Sequence, residues 1–540
     1  MNAEEARPGA ALGVTGRRGG RRTLTLDHVW LVGTLVFAFL TGTLLAAEQP
    51  DYWWTVKLGE GLWATHQLPP ADPLAFTSTR QPYVEQQWLA QLVLAAVHGW
   101  GGLEAALLLR AAILVLTAAL LYHAARRAGA GAPAAATACS LAMLSVVGGA
   151  AIRPQLLAIP LFALFLLGTT TSAGRGWTLW ALPAAMVVWA NAHGSFPLGI
   201  ALVGIALLAR ALEELAPLDG LVGVWRRVWR EPLTRRLALL LGLCLLAPLV
   251  NPYGAGIIPW LVDYLTFNLG GTGLATLSQE WLPTSLGTVH GTLFFLGAFV
   301  LAVVLLRAGP PRLADLLRLL VFGVLALQAV RSTLWWAMVA APVLAWGITV
   351  AVRGPGRVDK AASAGGTIGD ASADRVGVPA LNAVIVAGFL AVAALSLPWL
   401  RPLGLLFAPD RWPIQGPDLP VAAADRLATL PTTRLYNAMD WGGYLAWRLA
   451  PRQRIFVDAR FQLYPPVVYQ DYFAIANAAP GWAECLAAHA VDGIVISRAD
   501  QPALLRALVG AGGWQAVYCD DVAAVYVRRE LAGPDSREGC

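Results

Sequence analysis

The sequence predicts a mainly α, polytopic membrane protein of about eleven spans, followed by a C-terminal α/β domain outside the bilayer. Three observations lead there. First, 57% of the 540 residues are hydrophobic and only 13% are charged, whereas soluble globular chains carry about 25% charged residues. Second, apolar runs recur along most of the chain, and a spanning helix needs roughly 20 such residues to cross a core about 30 Å thick. Third, the arginines fall in short clusters that alternate runs place on a single side, which the positive-inside rule makes cytoplasmic. The net charge of +6 therefore has a membrane explanation. No long basic stripe interleaves with aromatics, which argues for a lipid bilayer and against nucleic acid as partner.

Residues 1–28 form a basic cytoplasmic amino terminus. The stretch MNAEEARPGAALGVTGRRGGRR resembles the positive end of a signal peptide, but DYWW follows the first apolar run without a small-residue cleavage site, so that run is a retained helix. The membrane domain covers 29–400, with spans expected at 29–47, 103–122, 133–150, 154–170, 177–191, 195–212, 237–250, 291–306, 313–330, 332–352 and 379–399. A large first outer loop occupies 48–102. Within it WLAQLVLAAVHGW, Trp88 to Trp100, is short for a span and ends among Gly99, Gly101 and Gly102. It is expected to lie along the interface, because counting it as a span would put Arg126 and Arg127 outside. The outer loop 251–290 contains no Lys or Arg, and its NPYG reads as a turn. Residues 353–378, rich in Gly, Ala and Ser, read as a cytoplasmic linker.

Beyond Arg401 the composition becomes that of a soluble domain, 401–540, expected outside a plasma membrane of bacterial type. RLYNAM, RIFVDAR and DGIVIS have strand character, GGYLAWRL, VVYQDYFAIANA and QPALLRALVG are helical, and WQAVYCDDVAAVYVRR reads as a hairpin. Five cysteines without CxxC or Cys/His spacing argue against structural zinc. Whether Cys485 and Cys519, both in this outer domain, pair is open.

The polar residues on the outer side are few: Asp51, His66, Asp72, Glu85, Arg153, Asn191, His193, Asp263, Glu280, His290 and Arg331. Ionisable groups near membrane depth are costly and usually face a protein interior or a watery cavity. Asp51 stands where lipid ends and water begins, so its carboxylate can meet a polar substrate while a lipid tail stays in the bilayer; helix capping is the plain alternative. Arg331 and Arg153, each at a junction between apolar runs, suit a lipid phosphate through paired hydrogen bonds, or else snorkel to headgroups. Asn191 and His193 in WANAHG form a candidate sugar-contacting edge.

Together these features resemble the GT-C class of membrane glycosyltransferases, which use polyprenyl-phosphate-linked sugars. The likeness rests on an acidic residue after the first helix, Asp51, an interfacial helix ending in WGG, and a second helix carrying LEAALLLR. Three later segments are similar to the oligosaccharyltransferase catalytic subunit: LSQEWLPT around Glu280, RSTLWWAMVAAP opening on Arg331, and MDWGGYLAW followed by IFVDAR. The last departs from that family in placing Asp440 before a single Trp441. The resemblance implies a catalytic loop acid, an arginine near the donor phosphate, and an acceptor-reading stretch containing Asp440, Trp441 and Tyr444.

The implied chemistry is inverting displacement at an anomeric carbon with a lipid phosphate as leaving group. Asp51 is the expected base, Glu280 positions the acceptor and Asp72 assists. Alternatively, the three carboxylates hold a divalent cation such as Mg or Mn through oxygen ligands. The acceptor, whether protein, lipid or polysaccharide, is not specified. Two other readings stand beside this one: a lipid or solute transporter, against which no repeat relates the two halves, and a noncatalytic scaffold of the same fold.

Overall fold

The computed structural model describes residues 23–45, 50–79, 82–171, 177–215, 230–269, 279–354, 377–406 and 418–532. The basic amino-terminal cluster and nearly all of the expected linker lie outside these residues. Helices α1 (Leu26–Leu44), α2 (Pro50–Thr65), α3 (Trp88–Arg127), α4 (Ala132–Gly149), α5 (Gln155–Thr171), α6 (Thr178–Ala192), α7 (Pro197–Leu215), α8 (Pro232–Leu246), α9 (Ile257–Leu269), α10 (Val289–Ala308), α11 (Leu313–Gln328), α12 (Thr333–Arg353) and α13 (Pro379–Leu395) form the first part of the chain. Every expected span coincides with a helix. Six of the described helical stretches are long and apolar enough to cross a membrane, and α5, α6 and α13 are shorter apolar helices.

Two glycines break α3 where the sequence ends its interfacial piece. Gly101 (φ −163°, ψ 28°) and Gly102 (φ 63°, ψ −148°) leave the helical region, and Gly102 can do so because it has no Cβ. Beyond the break, α3 packs against α1 so closely that a Cβ on Gly42 would lie 2.4 Å from the Ala111 Cα. Arg110 donates through Nε to the Gly42 carbonyl at 2.8 Å and through its terminal nitrogen to the Leu45 carbonyl. Carbonyls that α1 leaves unsatisfied at its end are thereby met.

Contacts at the helix ends sort the connections onto two sides. At one end Arg126 pairs with Asp27 at 3.1 Å, Gly131 N donates to Thr349 Oγ1, and Asn382 donates to the Leu24 carbonyl. At the other, Thr43 meets Ser396 at 3.2 Å and the rings of Trp100 and Trp399 approach to 6.5 Å. The second end carries the C-terminal domain.

That domain holds α14 (Val421–Ala428), β1 (Arg434–Asn437), α15 (Gly442–Leu449), β2 (Arg454–Ile455), α16 (Pro466–Ala476), α17 (Trp482–Ala488), β3 (Gly493–Ser497), α18 (Pro502–Val509), β4 (Trp514–Cys519) and β5 (Ala523–Arg528). The strands lie in the order β2-β1-β3-β5-β4, parallel between β2, β1 and β3 and antiparallel thereafter. Each strand and helix expected from the sequence is present. Cys485 is a free thiol, so it does not pair with Cys519.

The first outer loop departs from expectation in two ways. It contains a helix, α2, that opens on Pro50, a residue suited to the first helical position. It also supplies an extended segment to the sheet: Ile455 N donates to the Leu74 carbonyl at 3.0 Å, and Phe76 N to the Ile455 carbonyl at 3.1 Å. The loop is thus joined to the edge of the C-terminal sheet beyond β2. The second outer loop likewise contains a helix, α9.

Candidate active site

Asp51 lies in the first turn of α2, where the helix dipole favours a negative charge. Trp54, one turn on, donates from Nε1 to Asp51 Oδ1 at 3.0 Å, and Thr55 Oγ1 donates to the Asp51 carbonyl at 2.6 Å. The helix is held from two sides. A Cβ on Gly59 would lie 2.1 Å from the Gln91 carbonyl oxygen of α3, so only glycine allows that approach. On the other side the Trp53 ring packs on Tyr444 at 5.2 Å and on Trp447 at 4.5 Å, both from α15.

Three further charged residues converge on Asp51 from separate connections. Arg153 sits between α4 and α5, Glu280 on the short 3-10 turn Gln279–Trp281, and Arg331 on another, Val330–Ser332. The two turns are tied together where Val330 N donates to the Leu282 carbonyl at 3.0 Å. Arg153 Nη1 lies 3.4 Å from Asp51 Oδ2 and 2.7 Å from Glu280 Oε1, while Arg331 Nη1 lies 3.8 Å from Glu280 Oε2. Arg331 also donates to Gln155 Oε1 at 2.7 Å and stands 4.4 Å above the centre of the Trp281 ring. A cavity of about 250 Å³ opens against this cluster, walled by Arg153, Glu280, His290, Arg331, Thr333 and Leu334 among others. Gly148 makes room for the His290 imidazole, whose Nε2 would come within 1.8 Å of a Cβ there.

Electrostatics separate the two carboxylates. Burial lifts the Asp51 carboxyl above the ordinary aspartate range, with Glu280 adding to it, and Arg153 and the Trp54 hydrogen bond only partly oppose this. At Glu280 burial acts in the same direction, but Arg153 and then Arg331 outweigh it and hold the carboxyl below its usual value. The site therefore contains one basic carboxylate and one firmly ionised one. His193, buried beside both arginines, is pushed well below the usual histidine range by burial first, then by Arg331 and Arg153. It is neutral at pH 7, with Nδ1 2.8 Å from Ser195 Oγ.

No family profile and no curated protein sequence matches the chain. Among solved structures, the apo oligosaccharyltransferase of Archaeoglobus fulgidus aligns with 95% of this chain and 75% of its own, at 13% identity and a TM-score of 0.52. The chain shares its overall fold with that structure. ArnT from Cupriavidus metallidurans also aligns: the apo state covers 94% of this chain and 98% of its own at 17% identity and TM-score 0.47, and the form bound to undecaprenyl phosphate covers 94% and 99% at 18% and 0.48. At such identities the likeness is one of fold, and chemistry has to be argued from the side chains of this chain.

Of the residues singled out in the sequence, Asp51, Arg153, Glu280 and Arg331 form the cluster, with His193 beside it. The others have different work. Asp72 is bound by Arg460 through two hydrogen bonds, at 2.9 and 3.1 Å, and accepts from the amides of Leu74 and Ala75. Arg460 is held in turn by Asp458, at 2.7 to 3.1 Å. These three buried residues fasten the first loop to the C-terminal domain, so Asp72 does not join the other two carboxylates. Asn191 is a packing pin: it accepts from Trp88 Nε1 and donates to the carbonyls of Val187 and Val250. Trp441 is 6% exposed and Tyr444 3%, so both are core residues, Tyr444 packing on Trp53 of α2, while Asp440 lies exposed on the domain.

The alternative three-carboxylate cation site is accordingly not assembled among the described residues. Arg153 separates Asp51 from Glu280, and among the described residues no group of three His, Cys, Asp or Glu could hold a metal ion. A divalent cation does not fit the donor set. Sequence reasoning missed Trp54, Gln155 and Trp281, although each lies within three residues of a residue it did select: Asp51, Arg153 and Glu280.

Proposed function

We propose that the chain is a membrane glycosyltransferase that moves a sugar from a polyprenyl-phosphate-linked donor to an acceptor at the outer face of the membrane. The observation that carries this reading is the junction of a basic carboxylate, Asp51, with a cavity bearing two arginines. The donor phosphate lies against Arg331, with Arg153 on the same wall, and its prenyl chain runs into the apolar bundle. The acceptor hydroxyl approaches Asp51. As the acceptor oxygen bonds to the anomeric carbon, the bond from that carbon to the phosphate oxygen breaks with inversion, and the hydroxyl proton passes to Asp51. The electron pair of the broken bond departs on the phosphate oxygen, and the guanidiniums stabilise the added negative charge, so no strong acid is required.

Two further observations support the reading. A solved structure sharing the fold belongs to an oligosaccharyltransferase, and the arginine-bearing helix ends lie opposite the cluster, which agrees with an extracytoplasmic site. The test is incubation of the purified protein with a panel of polyprenyl-phosphate sugars and acceptors, read by mass spectrometry. Acceptor-dependent release of lipid phosphate with a glycosylated product is expected. Donor movement across the bilayer without bond cleavage would instead identify a transporter.

A further inference from the structure

We propose that Arg153 is the resident cation of this centre, standing where a divalent metal would bridge Asp51 and Glu280, and that the centre works without such a metal. The inference rests on the preceding reading for its catalytic meaning but not for its geometry. A hard divalent cation takes about six oxygen ligands at roughly 2.0 to 2.6 Å, and one or two carboxylates suffice where waters complete the shell. Here the two available carboxylates come from different elements, and the atom between them is Arg153 Nη1, 2.7 Å from one and 3.4 Å from the other. The second oxygen of Glu280 faces another guanidinium, that of Arg331, at 3.8 Å.

The third carboxylate that could have completed a metal site, Asp72, has both oxygens occupied by Arg460. A metal ion placed between Asp51 and Glu280 would have to expel Arg153, whose side chain is only 11% exposed. Arg153 Nε is buried without a hydrogen-bond partner, and the guanidinium is held through Nη1 by the two carboxylates. An arginine is permanently charged and donates in a fixed plane. It therefore neutralises the pair and aims Asp51 in every catalytic cycle, independently of the ions outside the cell.

The test is manganese binding, read as loss of the free-ion electron paramagnetic resonance signal on the purified full-length protein. Wild type is expected to leave the signal unchanged. Arg153→Ala and the more volume-conserving Arg153→Met, once the guanidinium is gone, are expected to take up the ion stoichiometrically, and to lose that uptake when Asp51→Asn is added. Stoichiometric uptake by wild type that Asp51→Asn abolishes overturns the proposal without reference to any variant of Arg153. Absence of uptake in a folded Arg153→Met protein overturns the claim that this arginine occupies a metal position. Neither measurement uses a donor or acceptor, so failure of the glycosyltransferase reading would show separately, in the transfer assay.

Discussion

Arg153 Nη1 lies 3.4 Å from Oδ2 of Asp51, across 102 residues of sequence. The contact aims the Asp51 carboxylate from one side while Trp54 holds its other oxygen. Asp51→Asn keeps this shape and removes the basic oxygen. Transfer should fall by roughly 100-fold or more, the contribution usual for a general base, while donor binding in the absence of acceptor stays near wild type. Normal transfer in this variant would take the base role away from Asp51.

The pH dependence follows from the same contact. A base acts when ionised, so activity is lost as pH falls through the Asp51 value, which burial raises above the ordinary aspartate range. Arg153 opposes that rise and Glu280 adds to it. The acid limb of the rate profile should therefore move to higher pH in Arg153→Met and to lower pH in Glu280→Gln. Equal shifts in one direction would mean that another group titrates.

Arg331 should act on the donor before any acceptor arrives. Loss of charge-assisted hydrogen bonds in Arg331→Ala is expected to weaken binding of a prenyl phosphate roughly 10- to 100-fold, measured by calorimetry without acceptor. Arg331→Lys should not restore it fully, because lysine lacks the planar fork that pairs with phosphate oxygens. Unchanged affinity in Arg331→Ala would place the phosphate elsewhere.

Trp441 should affect the fold of the domain and not acceptor affinity. With Trp441 only 6% exposed, Trp441→Ala leaves a cavity and should cost about 3 to 5 kcal/mol of domain stability, seen as a lowered unfolding midpoint and faster proteolysis. A stable variant that needs more acceptor for the same rate would return Trp441 to the acceptor site.

Position on α2 offers a test that leaves every charged residue untouched. Gly59→Ala puts a Cβ into the Gln91 backbone carbonyl, whereas Gly61 has nothing within 4 Å of where its Cβ would be. Gly59→Ala should shift Asp51 and reduce transfer severely, since small misplacements at a reacting centre cost about 100-fold. Gly61→Ala should be silent. Comparable activity in the two would show that α2 does not set the position of Asp51.

What could be read in the sequence follows the physics of each residue. Apolar runs mark their helices because lipid demands length and composition together. Gly101 and Gly102 mark the break in α3 because no other residue is as permissive there. Asp51, Arg153, Glu280 and Arg331 were legible as charges placed where charge is expensive. Asp72 met the same criterion and was misassigned, because its partner Arg460 lies 388 residues away. Asn191 was misread because its partners are mainly backbone carbonyls, which leave no sequence signal. Helix α2 was missed because Lys57, Glu60, Gly59 and Gly61 interrupt its apolar pattern, and its burial is supplied by α3 and α15.

The seam where residues 74–76 pair with Ile455 also constrains the order of biosynthesis. The Asp51 helix leaves the ribosome well before the strand edge and the Arg460 guanidinium that anchor its loop, since Arg460 lies 388 residues beyond Asp72. Closing so long a segment has an entropic cost that grows only slowly with length, but it cannot be met before the partner exists. A chain terminated before Ile455 therefore inserts its helices without ever completing this seam.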